Sequence, residues 1–240
     1  MKKTIAFITY LHLHEKLAAE VDQLANFNRV LEDVGDQNPD MIVLGGDLCG
    51  DGYYPDLFAK LGKFREKLFL IPGNHDQLPQ LLQFFSNPDN AELPELYYSF
   101  KDENFLYLFL DSSSGRISEP QLKWLGEKLD GNHLKIALFI HHPVYEVQSY
   151  VDRKYPLENR DAVRELLENQ QFEVFIYCGH YHCEDLTGYG AISQFTTPAV
   201  SYQIKKETGT LEIGPDTFGY RLISIENGNI TSKIITLSLI

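Results

Sequence analysis

Short, almost continuously apolar runs alternate along the chain with stretches in which apolar residues recur at helical spacing. The first pattern is typical of strands buried on both faces, and the second is typical of helices with one buried stripe. The predicted strands are residues 4–8, 41–44, 68–71, 105–110, 136–140 and 174–177. The order of strand, helix and strand predicts an α/β fold.

The helical pattern is clearest in three places. Apolar stripes predict one helix over residues 15–34 and another around residues 162–167. Ser118 and Gln121 have capping-box spacing and predict the start of a third. After about residue 190 the pattern becomes strand-like, with Asn227-Gly228 as a hairpin turn. We therefore expect an antiparallel or mixed C-terminal part.

Composition narrows the class of protein. The 240 residues include 34 acidic against 21 basic side chains, and no linker divides them, so we expect a single domain over residues 1–240. The net charge of −13 argues against broad nucleic-acid binding. No apolar stretch is long enough for a membrane helix, and the three cysteines form no CxxC pair. A cytoplasmic protein without a membrane partner is the expectation.

Residue types that bind metals follow the predicted buried strands. Because ligands of open α/β sheets bind beyond the carboxyl ends of strands, these segments are candidates for one site. Seven of the eight histidines lie in them, and only His133 falls outside. The segments are YLHLH (10–14), GGDL (45–48), GNHD (73–76), HHP (141–143) and GHYH (179–182).

Histidine, aspartate and asparagine without a thiolate are ligands suited to Mn²⁺, Fe²⁺ or Zn²⁺ rather than to a structural cysteine-bound zinc. The candidates outnumber the needs of one ion, so two divalent metal ions sharing a carboxylate are expected. The usual chemistry of such a pair is in-line displacement at phosphorus. The sequence therefore predicts metal-dependent hydrolysis of a phosphoester.

These segments resemble the ordered motifs of the calcineurin-like metallophosphoesterases, and the similarity is closest to the cyclic-nucleotide phosphodiesterase branch. Four of the five family motifs stand intact, and the resemblance covers nearly the whole chain. It implies a four-layer αββα sandwich with two mixed β-sheets. It also implies two metal sites, in which Asp47 bridges both ions, Asn74, His141 and His180 complete one site, and His12 and His182 serve the other.

The resemblance implies two catalytic residues in GNHD. His75 would bind the phosphate and protonate the leaving alkoxide, and the neighbouring Asp76 would hold it. A metal-bound hydroxide would be the nucleophile. The implied substrate is a small phosphoester, with phosphodiesters favoured and a 3′,5′-cyclic nucleotide as the leading candidate.

The chain departs from the family in its first motif, where Tyr10 stands in place of an aspartate ligand. Three outcomes are open: a phenolate ligand, substitution by His14, or a weakened first metal site. A non-catalytic scaffold is the alternative function that Tyr10 favours. A phosphomonoesterase or nucleotide pyrophosphatase with the same site is a further alternative.

Overall fold

The computed structural model describes residues 2–17, 19–85, 95–214 and 217–238. Its strands form two sheets, each with parallel and antiparallel pairs. The first sheet contains, in spatial order, β11 (Asn229–Leu237), β10 (Phe218–Glu226), β1 (Lys2–Ile8), β2 (Met41–Leu44) and β3 (Leu68–Leu70). The second contains β4 (Tyr98–Lys101), β5 (Phe105–Leu110), β6 (Lys135–Ile140), β7 (Val174–Cys178), β9 (Ile192–Thr196) and β8 (Asp185–Tyr189).

Helices connect most of the parallel strands. They are α1 (Gln23–Gln37), α2 (Tyr54–Lys60), α3 (Leu78–Leu81), α4 (Glu119–Leu129), α5 (Tyr150–Lys154) and α6 (Arg160–Glu168), with a 3₁₀ helix at Gly62–Lys67. Within the described residues, no helix combines the length and apolar character needed to cross a membrane.

The two sheets pack face to face, as the alternating side chains of β5 show. Phe105, Tyr107 and Phe109 point into the core shared with the first sheet. The intervening Leu106 and Leu108 point to the opposite face, which α4 and α6 cover. This alternation is the period-2 pattern of a strand between two apolar layers. A run that is apolar throughout is therefore required at β5.

Helices cover both outer faces. Phe27, Val30 and Val34 of α1 pack against the first sheet. Leu125 of α4 and Val163 of α6 pack against the second. The four-layer αββα sandwich with two mixed sheets is therefore confirmed.

The first helix starts later than its apolar stripe predicts. The sequence predicts a helix over residues 15–34, whereas α1 begins at Gln23 after Asp22, whose carboxylate accepts the Ala25 N–H. The segment before α1 does not extend the helix. The Gln23 side chain instead donates to the carbonyls of His12 and Glu15 and holds that segment at the site loop. The predicted helix start at Ser118 is confirmed, because the Ser118 hydroxyl accepts the Gln121 N–H at 3.3 Å. The Gln121 side chain does not complete the capping box, since it bonds the backbone of Asp111 instead.

Parallel pairing places the functional loops on one edge. The strands β1, β2 and β3 run parallel in the first sheet. The strands β5, β6 and β7 run parallel in the second. A buried arginine ties the sheets together, since Arg221 of β10 donates to the Thr196 carbonyl at 2.9 Å and to the Thr197 hydroxyl at 3.2 Å.

Candidate metal centre

Loops from both sheets meet at the carboxyl ends of the parallel strands. The loop after β2 carries Asp47, and the loops after β1 and β6 carry His12 and His141. The sheets touch directly here, because His141 Nδ1 donates to the Gly45 carbonyl at 2.8 Å. The predicted motif segments therefore share one site, as expected for this edge of an α/β sheet.

Asp47 is the buried carboxylate at the centre of the site, with only 2% of its surface exposed. Its Oδ2 lies 3.5 Å from His141 Nε2 and 3.7 Å from His12 Nε2, and its Oδ1 accepts the His75 N–H at 3.0 Å. Burial alone would raise its pKa. The attraction and hydrogen bonding of His141 nevertheless hold the pKa of Asp47 well below its usual range. An ionised carboxylate this deep requires a positive partner.

Two imidazoles beside Asp47 turn their Nε2 atoms toward each other. His182 Nδ1 lies 2.9 Å from the Tyr202 carbonyl, and His12 Nδ1 lies 3.2 Å from Glu15 Oε2. Because these oxygens can only accept, we assign the ring protons to Nδ1. The Nε2 atoms of His12 and His182 then face each other only 3.4 Å apart. Two nitrogen lone pairs at this distance repel unless a proton or a metal cation lies between them.

The donor set therefore fits a divalent metal ion. Burial lowers the pKa of His182 to about 3 and that of His180 to about 4. Both imidazoles are neutral at pH 7, as metal ligation requires. Imidazole nitrogens around a carboxylate suit borderline divalent ions.

His180 offers the other ring nitrogen. Its Nε2 donates to the Tyr155 carbonyl at 2.9 Å, which leaves Nδ1 for a ligand, and its ring centroid lies 5.2 Å from that of His141. The adjacent His142 has a different partner. Its Nδ1 and its backbone N–H lie 2.9 and 3.1 Å from the Ser112 hydroxyl, and its ring packs on that of His180 with centroids 4.0 Å apart.

The loops that carry these side chains have unusual backbone geometry. Left-handed φ angles occur at Tyr10 (59°), His12 (46°), Asp47 (55°), His180 (67°) and His182 (48°). Such conformations are unfavourable for side chains with a Cβ atom and cluster at functional sites. Close approach adds a second constraint, because a Cβ at Gly73 would collide with the Asp47 carboxylate. The fold is under strain where the ligands converge.

The GNHD turn brings His75 to the rim of the site. Half of the His75 side chain is exposed, and its ring centroid lies 4.9 Å from that of His12 in an edge-on arrangement. Its Nδ1 lies 2.9 Å from Glu15 Oε2. This hydrogen bond outweighs partial burial and raises the pKa of His75 to about 9. Asn74, exposed beside it, stays a predicted ligand.

Asp76 does not hold His75, and that part of the sequence interpretation is wrong. Its carboxylate accepts the backbone N–H groups of Asp47, Leu48 and Gly73 at 2.8–2.9 Å. The Tyr54 hydroxyl donates to it at 3.1 Å. With these donors on its two oxygens, Asp76 fastens the GNHD turn to the loop after β2. A catalytic role of its own stays a prediction.

Glu15 is the site residue that the sequence interpretation missed. Three residues after His12, its carboxylate returns to the imidazole of His12 and also reaches His75. Hydrogen bonds from both imidazoles lower the pKa of Glu15 to about 2, against the opposing effect of burial. The HxxE spacing is the available signal, but the apolar stripe over residues 15–34 places Glu15 at the start of a predicted helix.

The structure separates the two candidate replacements for the missing aspartate. Tyr10 is fully buried, and its ring packs on His182 with centroids 4.2 Å apart. His14 is exposed and stacks on Tyr53, with centroids 3.8 Å apart and planes 11° apart. Tyr10 therefore lies within the cluster and His14 lies outside it.

The model of the calcineurin-like phosphoesterase family matches residues 3–184, which contain every segment of this site. This chain belongs to that family. It is similar to a 3′,5′-cyclic adenosine monophosphate phosphodiesterase of Haemophilus influenzae, CpdA, with 28% identity over 95% of this chain and 87% of the relative. It is also similar to a glycerophosphodiester phosphodiesterase, GpdQ, of Enterobacter lignolyticus, with 29% identity over 78% of this chain and 70% of the relative.

Structural comparison agrees on the fold of this calcineurin-like phosphoesterase. A dimetal phosphatase from Danio rerio superposes with a TM-score of 0.68, covering 98% of each chain at 15% identity. Family membership and phosphodiesterase relatives identify the chain as a phosphoesterase enzyme of a family that uses divalent metals.

Proposed function

We propose that this phosphoesterase is a metal-dependent phosphodiesterase whose leading substrate is a 3′,5′-cyclic nucleotide. The observation that carries the proposal is the position of His75, a cationic imidazole at the rim of the Asp47 cluster. A phosphodiester has one ionised oxygen to pair with a cation and needs a proton on its leaving oxygen. One histidine beside a metal centre can serve both needs.

The metal ligands in this proposal are Asp47 as the bridging carboxylate, Asn74, His141 and His180 on one side, and His12 and His182 on the other. We propose two ions, each Mn²⁺, Fe²⁺ or Zn²⁺. When bound, such ions would polarise phosphoryl oxygens and lower the pKa of the water that attacks phosphorus. The net charge of −13 does not oppose an anionic substrate, because two dications place four positive charges at the site.

His75 has the acid role in this proposal. Its Nδ1 proton is held by Glu15, so Nε2 is the nitrogen left for the substrate. The hydrogen bond with Glu15 raises the pKa of His75 and so favours the protonated ring, which would bind a phosphate oxygen and then donate its proton to the departing alkoxide. A positioned acid of this kind contributes roughly 10²- to 10⁴-fold in rate.

The substrate class is proposed from the relatives whose names state a substrate. CpdA is named for cyclic adenosine monophosphate and GpdQ for glycerophosphodiesters, and both substrates are phosphodiesters. The greater share of this chain aligned with CpdA favours the cyclic nucleotide. The proposed cellular location is the cytoplasm.

The test is hydrolysis of 3′,5′-cyclic adenosine monophosphate and glycerophosphoethanolamine by metal-stripped protein reloaded with Mn²⁺. A higher kcat/KM for the cyclic nucleotide supports the proposal. A higher kcat/KM for the glycerophosphodiester would instead make glycerophosphodiesters the substrate class. Hydrolysis of p-nitrophenyl phosphate alone would identify a phosphomonoesterase, and no turnover with any metal would favour a scaffold.

A further inference from the structure

One carboxylate joins two histidines that the proposed function uses for different purposes. Glu15 Oε2 lies 3.2 Å from His12 Nδ1 and 2.9 Å from His75 Nδ1. The Glu15 side chain is only 17% exposed, and its Oε1 is buried without a hydrogen-bond partner. Glu15 is therefore fixed between two imidazoles rather than extended into solvent.

The local backbone holds this carboxylate in place. The N–H of Glu15 donates to the His12 carbonyl at 3.0 Å, closing a tight turn. The Gln23 side chain donates to the carbonyls of both residues, at 2.8 and 2.9 Å. Left-handed φ angles at His12 and His14 turn the chain back over the site. These bonds bury and orient Glu15 before any ligand arrives.

For His12, the carboxylate selects one tautomer. A carboxylate at Nδ1 holds the ring proton there and leaves Nε2 free toward Asp47 and His182. Carboxylates in this position orient metal-binding histidines and raise their basicity. Since Tyr10 brings no carboxylate to this side of the site, Glu15 adds negative charge there, through His12, to that of Asp47.

For His75, the same oxygen fixes the ring direction. Both Nδ1 atoms point at this one oxygen, and the His75 and His12 rings stand edge-on at 89°. A rim histidine without such an anchor would be free to rotate, because half of its side chain is exposed. Glu15 thus removes rotational freedom that His75 would otherwise lose on binding phosphate.

We propose that Glu15 is a positioning residue that couples His12 to His75, so that one carboxylate both orients a metal ligand and aims the phosphate-binding histidine. The proposal rests on the function proposed above for these two histidines. It assigns Glu15 no contact with substrate. Its role is to act through the two rings.

The experiment compares E15Q with E20Q. Glu20 is an exposed carboxylate on the same segment, so E20Q removes the same charge without touching the site. Titration of metal-stripped protein with Mn²⁺ should show about 10- to 100-fold weaker binding for E15Q, the usual cost of losing a partner of a metal-binding histidine. E20Q should bind as the wild type does.

A second readout needs neither metal nor activity. Nitrogen-15 NMR of the metal-free protein reports the protonation of each imidazole nitrogen, and H75N and H12N variants assign the two signals. Recorded above the pKa of His75, so that its ring can show a tautomer, the wild type should have the proton on Nδ1 in both rings, whereas E15Q should lose this preference. A purely structural role for Glu15 would lower stability without changing the tautomers.

Wild-type metal affinity together with wild-type imidazole signals in a folded E15Q would overturn the proposal. E15D is measured in parallel in case E15Q does not fold, because it keeps the charge but withdraws the carboxylate by one methylene. We expect the same direction of change in E15D, and wild-type values there would also overturn it. If the wild type hydrolyses no phosphodiester, the proposed function fails while these two readouts still decide the role of Glu15.

Discussion

The ring of Tyr10 packs on His182 with centroids 4.2 Å apart, and its hydroxyl lies 3.5 Å from His141 Nε2. Tyr10 therefore spans the two proposed metal sites. Gly179 makes this possible, because a Cβ at that position would lie 2.6 Å from the tyrosine ring. A bulky phenol ring stands at the position where the first motif of the family implies a carboxylate.

Replacing Tyr10 by aspartate should tighten the weaker of two Mn²⁺ binding events. The added carboxylate would bind the dication directly. Its affinity for Mn²⁺ should therefore rise by at least about tenfold, which is the smallest change usually seen when only a hydrogen-bond partner of a metal ligand is altered. Calorimetric titration of metal-stripped protein measures both events. Y10F is the matched control and should bind as the wild type does. Loss of one binding event in Y10F would instead make the phenol oxygen a ligand.

Replacing His75 by alanine should lower kcat for a phosphodiester by roughly 10²- to 10⁴-fold, because the proposed acid is lost. Mn²⁺ binding and the unfolding midpoint should change little, since His75 is half exposed. The matched control is H133A, which removes an exposed histidine outside the motif segments. Equal turnover by H75A and H133A would remove His75 from the mechanism.

Replacing Asp76 by asparagine should destabilise the protein as well as the site. Its carboxylate satisfies the N–H groups of Asp47, Leu48 and Gly73, and an amide cannot accept on both oxygen positions. The loss should be about 3 kcal/mol in the free energy of unfolding, measured in urea. D36N, which changes an exposed aspartate of α1, should cost far less. An unchanged midpoint for D76N would contradict the structural role assigned to this carboxylate.

The Lys3–Asp102 pair should make stability depend on pH in the acid range. Burial opposes ionisation of Asp102, but Lys3 at 2.5 Å and the N–H groups of Asn104 and Phe105 lower its pKa overall. A lowered folded-state pKa stabilises the protein above the unfolded-state pKa, and this contribution is lost as pH falls through the folded-state value.

Substitution of Asp102 by asparagine should therefore cost about 1 kcal/mol at pH 7, a small value because the pair is partly exposed to solvent. The difference from the wild type should shrink as the pH falls below about 4. Urea unfolding of both proteins between pH 7 and pH 3 measures this difference in the free energy of unfolding. A difference that grows toward low pH would contradict the sign of the shift.

Sequence patterns predicted the architecture because it depends on short-range periodicity. The unbroken apolar run of β5 requires two apolar layers, and the strand ends carry the motifs to one edge. The motifs also predicted that His12, Asp47 and His141 would meet. These contacts follow from parallel pairing and need no detailed knowledge of the loops.

The contacts within the loops were less predictable. Left-handed φ angles at His12 and His14 reverse the chain, so Glu15 returns to the site instead of starting a helix. Adjacency in sequence also misled the interpretation of Asp76, because neighbouring residues in a tight turn direct their side chains apart. Residue spacing therefore predicts neither the return of Glu15 to the site nor the direction of the Asp76 side chain.

The proposed function requires the Asp47 cluster to bind divalent metal and thereby to hydrolyse phosphodiesters. The most direct measurement is turnover of bis-p-nitrophenyl phosphate by metal-stripped protein as Mn²⁺ is added, with D47N in parallel. We expect no turnover without metal, turnover that saturates with Mn²⁺ in the wild type, and almost none in D47N. Turnover that is independent of metal, or equal in D47N, would contradict it.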